Sequence, residues 1–268
     1  MLVNEALNTH GNYAMIPNVL YSLGLKAGAI AAYGFLSSCE CRRRGDRDRY
    51  TCHPSQATIA LAIGCSRKTA GKYVRELDER DEHRTELRRR IEDVTLTLNE
   101  RRDAAAELES LAEGGDAEAQ MLLGRLYRDG GVLIPDAVNA AYWLNRAARQ
   151  DVVPAQYALG KLLLAPDAET HDAAAGLQWL ERAAQSGHSY AAYRLGKEYL
   201  TGTNTEKNIT KAVSWFERSA AAGNQFAQYA LGKLYLDGTL TPKDVPRGMA
   251  YMEQAARQGN AYAQFFVD

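Results

Sequence analysis

The sequence predicts an all-α chain in which an N-terminal helix-turn-helix domain precedes an α/α solenoid of 36-residue repeats. Three observations carry that reading. The dipeptide Leu-Gly recurs at 123–124, 159–160, 195–196 and 231–232, always 36 residues apart. A stretch around residue 60 has the spacing of two helices joined by a tight turn. Charge is segregated: residues 1–75 hold 10 Lys and Arg against 4 Asp and Glu, whereas residues 104–268 hold 15 against 19. These divide the chain into residues 1–80, a charged helical connector at 81–103, and the repeats at 104–268.

The first domain is the basic one. Gln56 to Ser66 reads as a helix, a turn at Gly64 and the N-cap of a second helix, with Ala60 small where the two helices cross. Ile59, Ile63, Cys65, Ala70, Tyr73, Val74 and Leu77 share one apolar face. The opposite face of the second helix presents Lys68, Lys72 and Arg75, with Arg67 and Thr69 at its N-terminal flank. A helix so placed reaches a major groove and its phosphates. Arg42, Arg43 and Arg44 lie in a loop between the helices, as phosphate anchors or as solvated surface. Asymmetric charge of this kind points to a polyanion meeting the first domain, and DNA is the expected partner. A generic three-helix packing unit with a solvated basic face is the alternative.

Residues 12–80 resemble helix-turn-helix domains of replication initiators and regulators on Gram-positive mobile elements. Tyr13-Ala14-Met15-Ile16-Pro17-Asn18, Leu23-Gly24-Leu25, Tyr33, His53-Pro54-Ser55 and Ser66-Arg67-Lys68-Thr69 to Leu77 carry the resemblance. Such domains usually continue into a two-stranded wing, but Asp81-Glu82-His83-Arg84 opens a charged helix-forming segment with no strand pattern. Within it Leu87, Ile91, Val94 and Leu98 form a stripe at helical spacing. The stripe is expected to pack on the first repeat as a cap, with a short dimer seam as the sharper alternative.

The repeats follow column by column. Alanine recurs at 119, 155, 191, 227 and 263, and a second column holds Ala148, Ala184, Ala220 and Ala256. Before it stand Trp143-Leu144, Trp179-Leu180, Trp215-Phe216 and Tyr251-Met252. Glycine at 115, 187, 223 and 259 is broken by Asp151. Each unit therefore reads as two antiparallel helices, with Asp136, Asp172, Asn208 and Asp244 as N-caps of the second. One unit cannot cover its own apolar face, so stacking supplies the core. Ala155-Gln156-Tyr157-Ala158-Leu159-Gly160-Lys161 and its counterpart at 227–233 resemble Sel-one-like repeats, relatives of tetratricopeptide repeats. The resemblance covers about 104–268 and implies a solenoid for protein–protein interaction without chemistry of its own. Ala165-Pro166-Asp167 departs from it, where the family keeps glycine.

Within the first helices Tyr157, Tyr193 and Tyr229 stand four residues before Lys161, Lys197 and Lys233, so each pair shares a helical face. Arg125 extends the cation column one repeat earlier. By resemblance this ladder faces a bound protein segment, and its cations favour an acidic peptide; repeat-on-repeat packing is the other reading of the tyrosines. Phe265, Phe266 and Val267 leave an apolar C-terminal end, expected either to self-associate or to mark a chain cut short of its natural terminus, with folding back on the Tyr251-Met252 helix as the plainer reading.

The remaining composition bounds the function. The 268 residues are 46% apolar and 24% charged, an ordinary globular balance. The start, Met1 to Glu5, lacks a signal-peptide pattern, and the apolar run Ala27–Leu36 is too short to cross a bilayer. All four cysteines (Cys39, Cys41, Cys52, Cys65) fall in the first quarter, which is no disulfide framework and points to the cytoplasm, away from membranes. Their spacing is not that of structural zinc, and the histidines form no close pair. No phosphate-cradling loop, nucleophile elbow or metalloprotease motif is present, so no catalytic residue, metal or cofactor is expected. The expected function is a DNA-binding adaptor whose solenoid recruits a protein partner. A scaffold without DNA binding is the rival, and an enzyme site formed between the modules is a further one.

Overall fold

The computed structural model describes residues 67–166 and 168–267 of the chain. Among them are eleven α-helices and no strand: α1 (Arg67–Glu92), α2 (Leu98–Glu113), α3 (Ala117–Asp129), α4 (Ala137–Ala148), α5 (Val153–Leu163), α6 (Ala173–Gln185), α7 (Ser189–Thr201), α8 (Ile209–Ala221), α9 (Gln225–Asp237), α10 (Val245–Arg257) and α11 (Ala261–Val267). They separate into two compact units that divide within α3, between Leu122 and Leu123.

In the first unit α1 packs on α2. The 26 residues of α1 run through position 80 without a break, so the end of the basic segment and the start of the charged one share a single helix. Its buried side carries Ala70, Leu87 and Ile91. The expected stripe stops there, because Val94 is 83% exposed. The reason is local: the Asp93 carboxylate accepts the Thr95 amide at 2.9 Å, which turns the chain out of the helix. Thr97 then opens α2 with a capping box, its hydroxyl accepting the Glu100 amide while Glu100 accepts the Thr97 amide at 2.8 Å. Arg101 donates back to the Ile91 carbonyl at 2.7 Å and so covers the end of α1. Arg84 reaches Asp116 at 2.9 Å, and Asp116 also accepts the Ala119 amide at 2.8 Å as α3 begins.

In the second unit the helices pair as α3–α4, α5–α6, α7–α8 and α9–α10. Within each pair the glycine of Leu-Gly meets the bulky residue of the second helix. A Cβ on Gly124, Gly160, Gly196 or Gly232 would stand 2.6–2.9 Å from Leu144, Leu180, Phe216 or Met252, closer than any side chain tolerates. Asp136, Asp172, Asn208 and Asp244 cap the second helices through their side chains. The amide of each cap residue also donates to the carbonyl nine residues earlier (Tyr127, Leu163, Tyr199, Tyr235) at 2.8–3.0 Å. That bond closes every inter-helix loop alike, including the second. There Leu164 ends α5 in a right-handed conformation, whereas α7 and α9 end on left-handed Gly202 and Gly238. After the second helices Gly187, Gly223 and Gly259 take positive φ, and Asp151 takes it too, at 61°. Leu144, Leu180, Phe216 and Met252 are fully buried, while Trp179 and Trp215 are only half-buried. Arg182 and Arg218 lie over those two indoles at 4.9 and 5.6 Å.

Candidate functional site

Two surfaces carry the residues singled out from the sequence. On α1, Lys68, Lys72 and Arg75 are exposed and lie on one side, Thr69 is half-buried, and Arg67 begins the helix. Arg75 donates to the Gly71 carbonyl at 3.2 Å, which lays its guanidinium along the helix. The loop arginines Arg42, Arg43 and Arg44, the four cysteines and the turn at Gly64 lie outside the described residues. Further along α1, burial opposes the charge of Arg84, but the carboxylates of Asp116 and Asp81 outweigh it and hold the guanidinium above its ordinary value.

The second surface is formed by the first helices of the second unit. Arg125, Lys161, Lys197 and Lys233 are all exposed, and Tyr157, Tyr193 and Tyr229 are half-buried. Lys161 lies 5.7 Å from the centre of the Tyr157 ring. Burial pushes the Tyr157 and Tyr193 phenols above their ordinary value, with Arg194 acting against it. Tyr157 packs on the residue that caps α7, and the other two tyrosines pack on rings of the following first helix. Tyr157 stacks on His188 at 4.5 Å, Tyr193 meets Phe226 at 6.0 Å and 40°, and Tyr229 meets Tyr262 at 6.0 Å and 37°. Tyr190 and Phe226 remain 47% and 42% exposed. Reading the tyrosine column alone missed these outer rings, although a column three residues earlier spells Pro154, Tyr190, Phe226 and Tyr262.

Two polar clusters complete the picture. Glu198 is 3% exposed and pairs with Arg194 at 2.7 Å and with the Asn204 amide at 2.9 Å. The Nε of Arg194 is buried without a hydrogen-bond partner. Beside α8 and α10, Glu217 accepts from Arg247 at 2.6 Å and from the Tyr235 hydroxyl at 3.2 Å, with Arg247 4.5 Å over the Tyr235 ring. They line an open pocket of about 820 Å³ together with Lys243 and Asp244. Among the described residues no group of three His, Cys, Asp or Glu side chains could hold a metal ion. Among them, too, no helix is long and apolar enough to cross a membrane. At the C-terminal end Phe265 and Phe266 are exposed.

These features define an array of paired helices with small residues at the crossings, preceded by a basic helix. The chain belongs to the Sel1 repeat family, which it matches over residues 117–152, 153–188, 189–224 and 225–260. Residues 23–81 match a helix-turn-helix domain family. Two solved structures are similar over the repeats. One is c5321, a protective antigen of uropathogenic Escherichia coli with an SLR fold, at 31% identity and a TM-score of 0.55; the match covers 59% of this chain and 34% of that one. The other is a Sel1 repeat protein from Oxalobacter formigenes at 29% identity and a TM-score of 0.55, covering 60% of this chain and 66% of that one. The chain therefore spans about a third of the first protein and under two thirds of the second. No curated protein sequence matches it.

Proposed function

We propose that this chain is a DNA-binding adaptor: the helix-turn-helix domain holds duplex DNA and the Sel1 repeats recruit an acidic protein segment. The observation that carries the reading is the division of α1. Ala70, Leu87 and Ile91 are buried on one side, and Lys68, Lys72 and Arg75 stand free of that packing on the other. A helix held this way presents its cations to a groove at little entropic cost. The repeats contribute exposed cations at 125, 161, 197 and 233, in register along the first helices. The resemblance of residues 12–80 to mobile-element initiators and regulators supports a role in replication, transfer or regulation of such an element. Repeats of this family serve as interaction scaffolds, so a partner rather than a substrate is the expected second ligand.

Arg67 and Lys68 are the expected base-edge contacts, with Thr69 and Lys72 as lesser candidates, so phosphate contacts dominate and specificity is modest. With roughly 6 phosphates neutralised, log K falls with log[salt] at a slope of about −5. A Lys68→Glu/Lys72→Glu variant loses binding to duplex DNA in a gel-shift assay. Unchanged affinity would leave a scaffold without DNA binding. For the second surface, Lys161→Glu, Lys197→Glu and Lys233→Glu together abolish partner recovery in a pull-down while the thermal melt stays unchanged.

A further inference from the structure

Helix α1 carries a charge order that its own fold does not use. At about 100° per residue, Lys68, Lys72, Arg75, Glu79, Glu82 and Glu86 fall within about 80° of one another, as one stripe along a helix unbroken from Arg67 to Glu92. All six are exposed, away from the side that buries Ala70, Leu87 and Ile91. The first three are cations and the last three carboxylates, so like charges adjoin. Lys72 follows Lys68 by four residues and precedes Arg75 by three; Glu82 follows Glu79 by three and precedes Glu86 by four. Such neighbours destabilise an isolated helix, and the one opposite pair, Arg75 before Glu79, has the weaker orientation. Lys68, in the first turn, also opposes the helix macrodipole. Arg75 donates to the Gly71 carbonyl at 3.2 Å, and Glu86 accepts from Arg89 at 2.8 Å, both outside the stripe. The stability of a single helix does not account for this order.

A second copy does. The six residues are placed symmetrically about the level of Leu77: Arg75 and Glu79 lie two residues from it, Lys72 and Glu82 five, Lys68 and Glu86 nine. Antiparallel alignment about a two-fold axis at that level sets Lys68 against the partner's Glu86. It sets Lys72 against the partner's Glu82 and Arg75 against the partner's Glu79, and each contact occurs twice, as a two-fold axis requires. Every member of the stripe then faces an opposite charge, and the two macrodipoles are opposed as well. A parallel pairing would bring lysine to lysine and glutamate to glutamate. A nucleic acid would be met by the first half of the stripe and repelled by the second.

We infer that two copies of this chain pair antiparallel along α1, held by reciprocal ion pairs between the cations at 68, 72 and 75 and the carboxylates at 79, 82 and 86. The inference goes beyond the DNA-binding reading and does not rest on it; where both hold, a duplex and a second copy share the same three cations. The test is sedimentation equilibrium of the full chain. At about 200 µM the parent is dimeric in about 50 mM salt and monomeric in about 1 M salt, where the Debye length is ~3 Å. Lys68→Glu/Glu79→Lys and Lys68→Glu/Glu86→Lys keep the parent's net charge, but only the second restores opposite charges at symmetric positions. The expected result is that the first weakens the dimer at least ten-fold and the second stays dimeric. Lys68→Glu/Lys72→Glu/Arg75→Glu and Glu79→Lys/Glu82→Lys/Glu86→Lys are each monomeric alone and form a heterodimer when mixed. Should either triple variant melt early, the two Lys68 double variants decide. A parent monomeric in low salt, a dimer indifferent to salt, equal behaviour of the two double variants, or a folded mixture that stays monomeric overturns the inference. Loss of duplex binding in any of these variants bears on the DNA reading alone.

Discussion

The third and fourth repeats follow the same backbone path, with α7–α8 and α9–α10 of equal length and both first helices ending on a left-handed glycine. Their interiors differ. Where the fourth repeat has Ala230 and Leu234, the third has Arg194 and Glu198, an ion pair whose carboxylate is almost fully buried. Where Gly232 lies against the flexible Met252, Gly196 lies against the rigid ring of Phe216. The cap before the fourth repeat is Asn224, and before the third it is His188, whose Nδ1 accepts the Ala191 amide at 3.2 Å. A repeated backbone therefore does not imply a repeated stability: the third unit carries a buried charge, a tighter crossing and a titratable cap.

The largest expected effect concerns the ion pair. Arg194→Ala strands a buried carboxylate and destabilises the chain by about 3 kcal/mol in urea denaturation. Arg194→Ala/Glu198→Leu, which copies the fourth repeat, returns it to within about 1 kcal/mol of the parent. A double variant as unstable as the single one would show that the pair is not the source of the difference. Next, Gly196→Ala costs about 2 kcal/mol and Gly232→Ala about half that, because Met252 can move aside and Phe216 cannot. Equal losses in thermal melts would mean that the Gly248 carbonyl beside Gly232, and not the side chain alone, limits the fourth crossing. The smallest effect is pH-dependent. Burial holds the His188 imidazole below its ordinary value, and its cap bond requires the unprotonated nitrogen. The rings packed on it are those of Tyr157 and Tyr190. The unfolded chain therefore binds the proton more readily. The stability is complete above the unfolded value of about 6.5 and is lost as pH falls toward the lower folded one. The loss is about 1 kcal/mol, the worth of a cap. His188→Asn removes that acid sensitivity while keeping the cap, and an unaltered pH profile would assign it elsewhere.

Much of this was legible in the residues. The 36-residue columns located the glycine crossings and the caps, because each is a one-residue requirement of backbone geometry. The Thr97-Leu98-Asn99-Glu100 capping box was equally readable, and it marks where α2 starts after the turn at Asp93–Thr95. The unbroken run of α1 also had its signal, since neither glycine nor proline occurs between Gly71 and Gly114. What the columns could not supply was depth. Arg194 and Glu198 stand out as exceptions to apolar columns, but whether an exception points to water or to its neighbour depends on side-chain packing across repeats. The same holds for the outer aromatic rings, whose partners lie more than thirty residues away.

Helix α1 also fixes an azimuth. An α-helix turns by about 100° per residue, so Lys68 and Arg75, sixteen and nine residues before Arg84, point roughly 160–180° away from it. Because Arg84 is tied to Asp116 at 2.9 Å, the side of α1 that carries Lys68 and Arg75 is turned away from that contact within the first unit. One residue inserted between Arg75 and Arg84 would swing that face by about 100° relative to the Arg84–Asp116 pair and carry the buried Ala70 round with it. The spacing between these two arginines thus acts as a phase, and the azimuth of the basic side of α1 is tuned by counting residues along a rod.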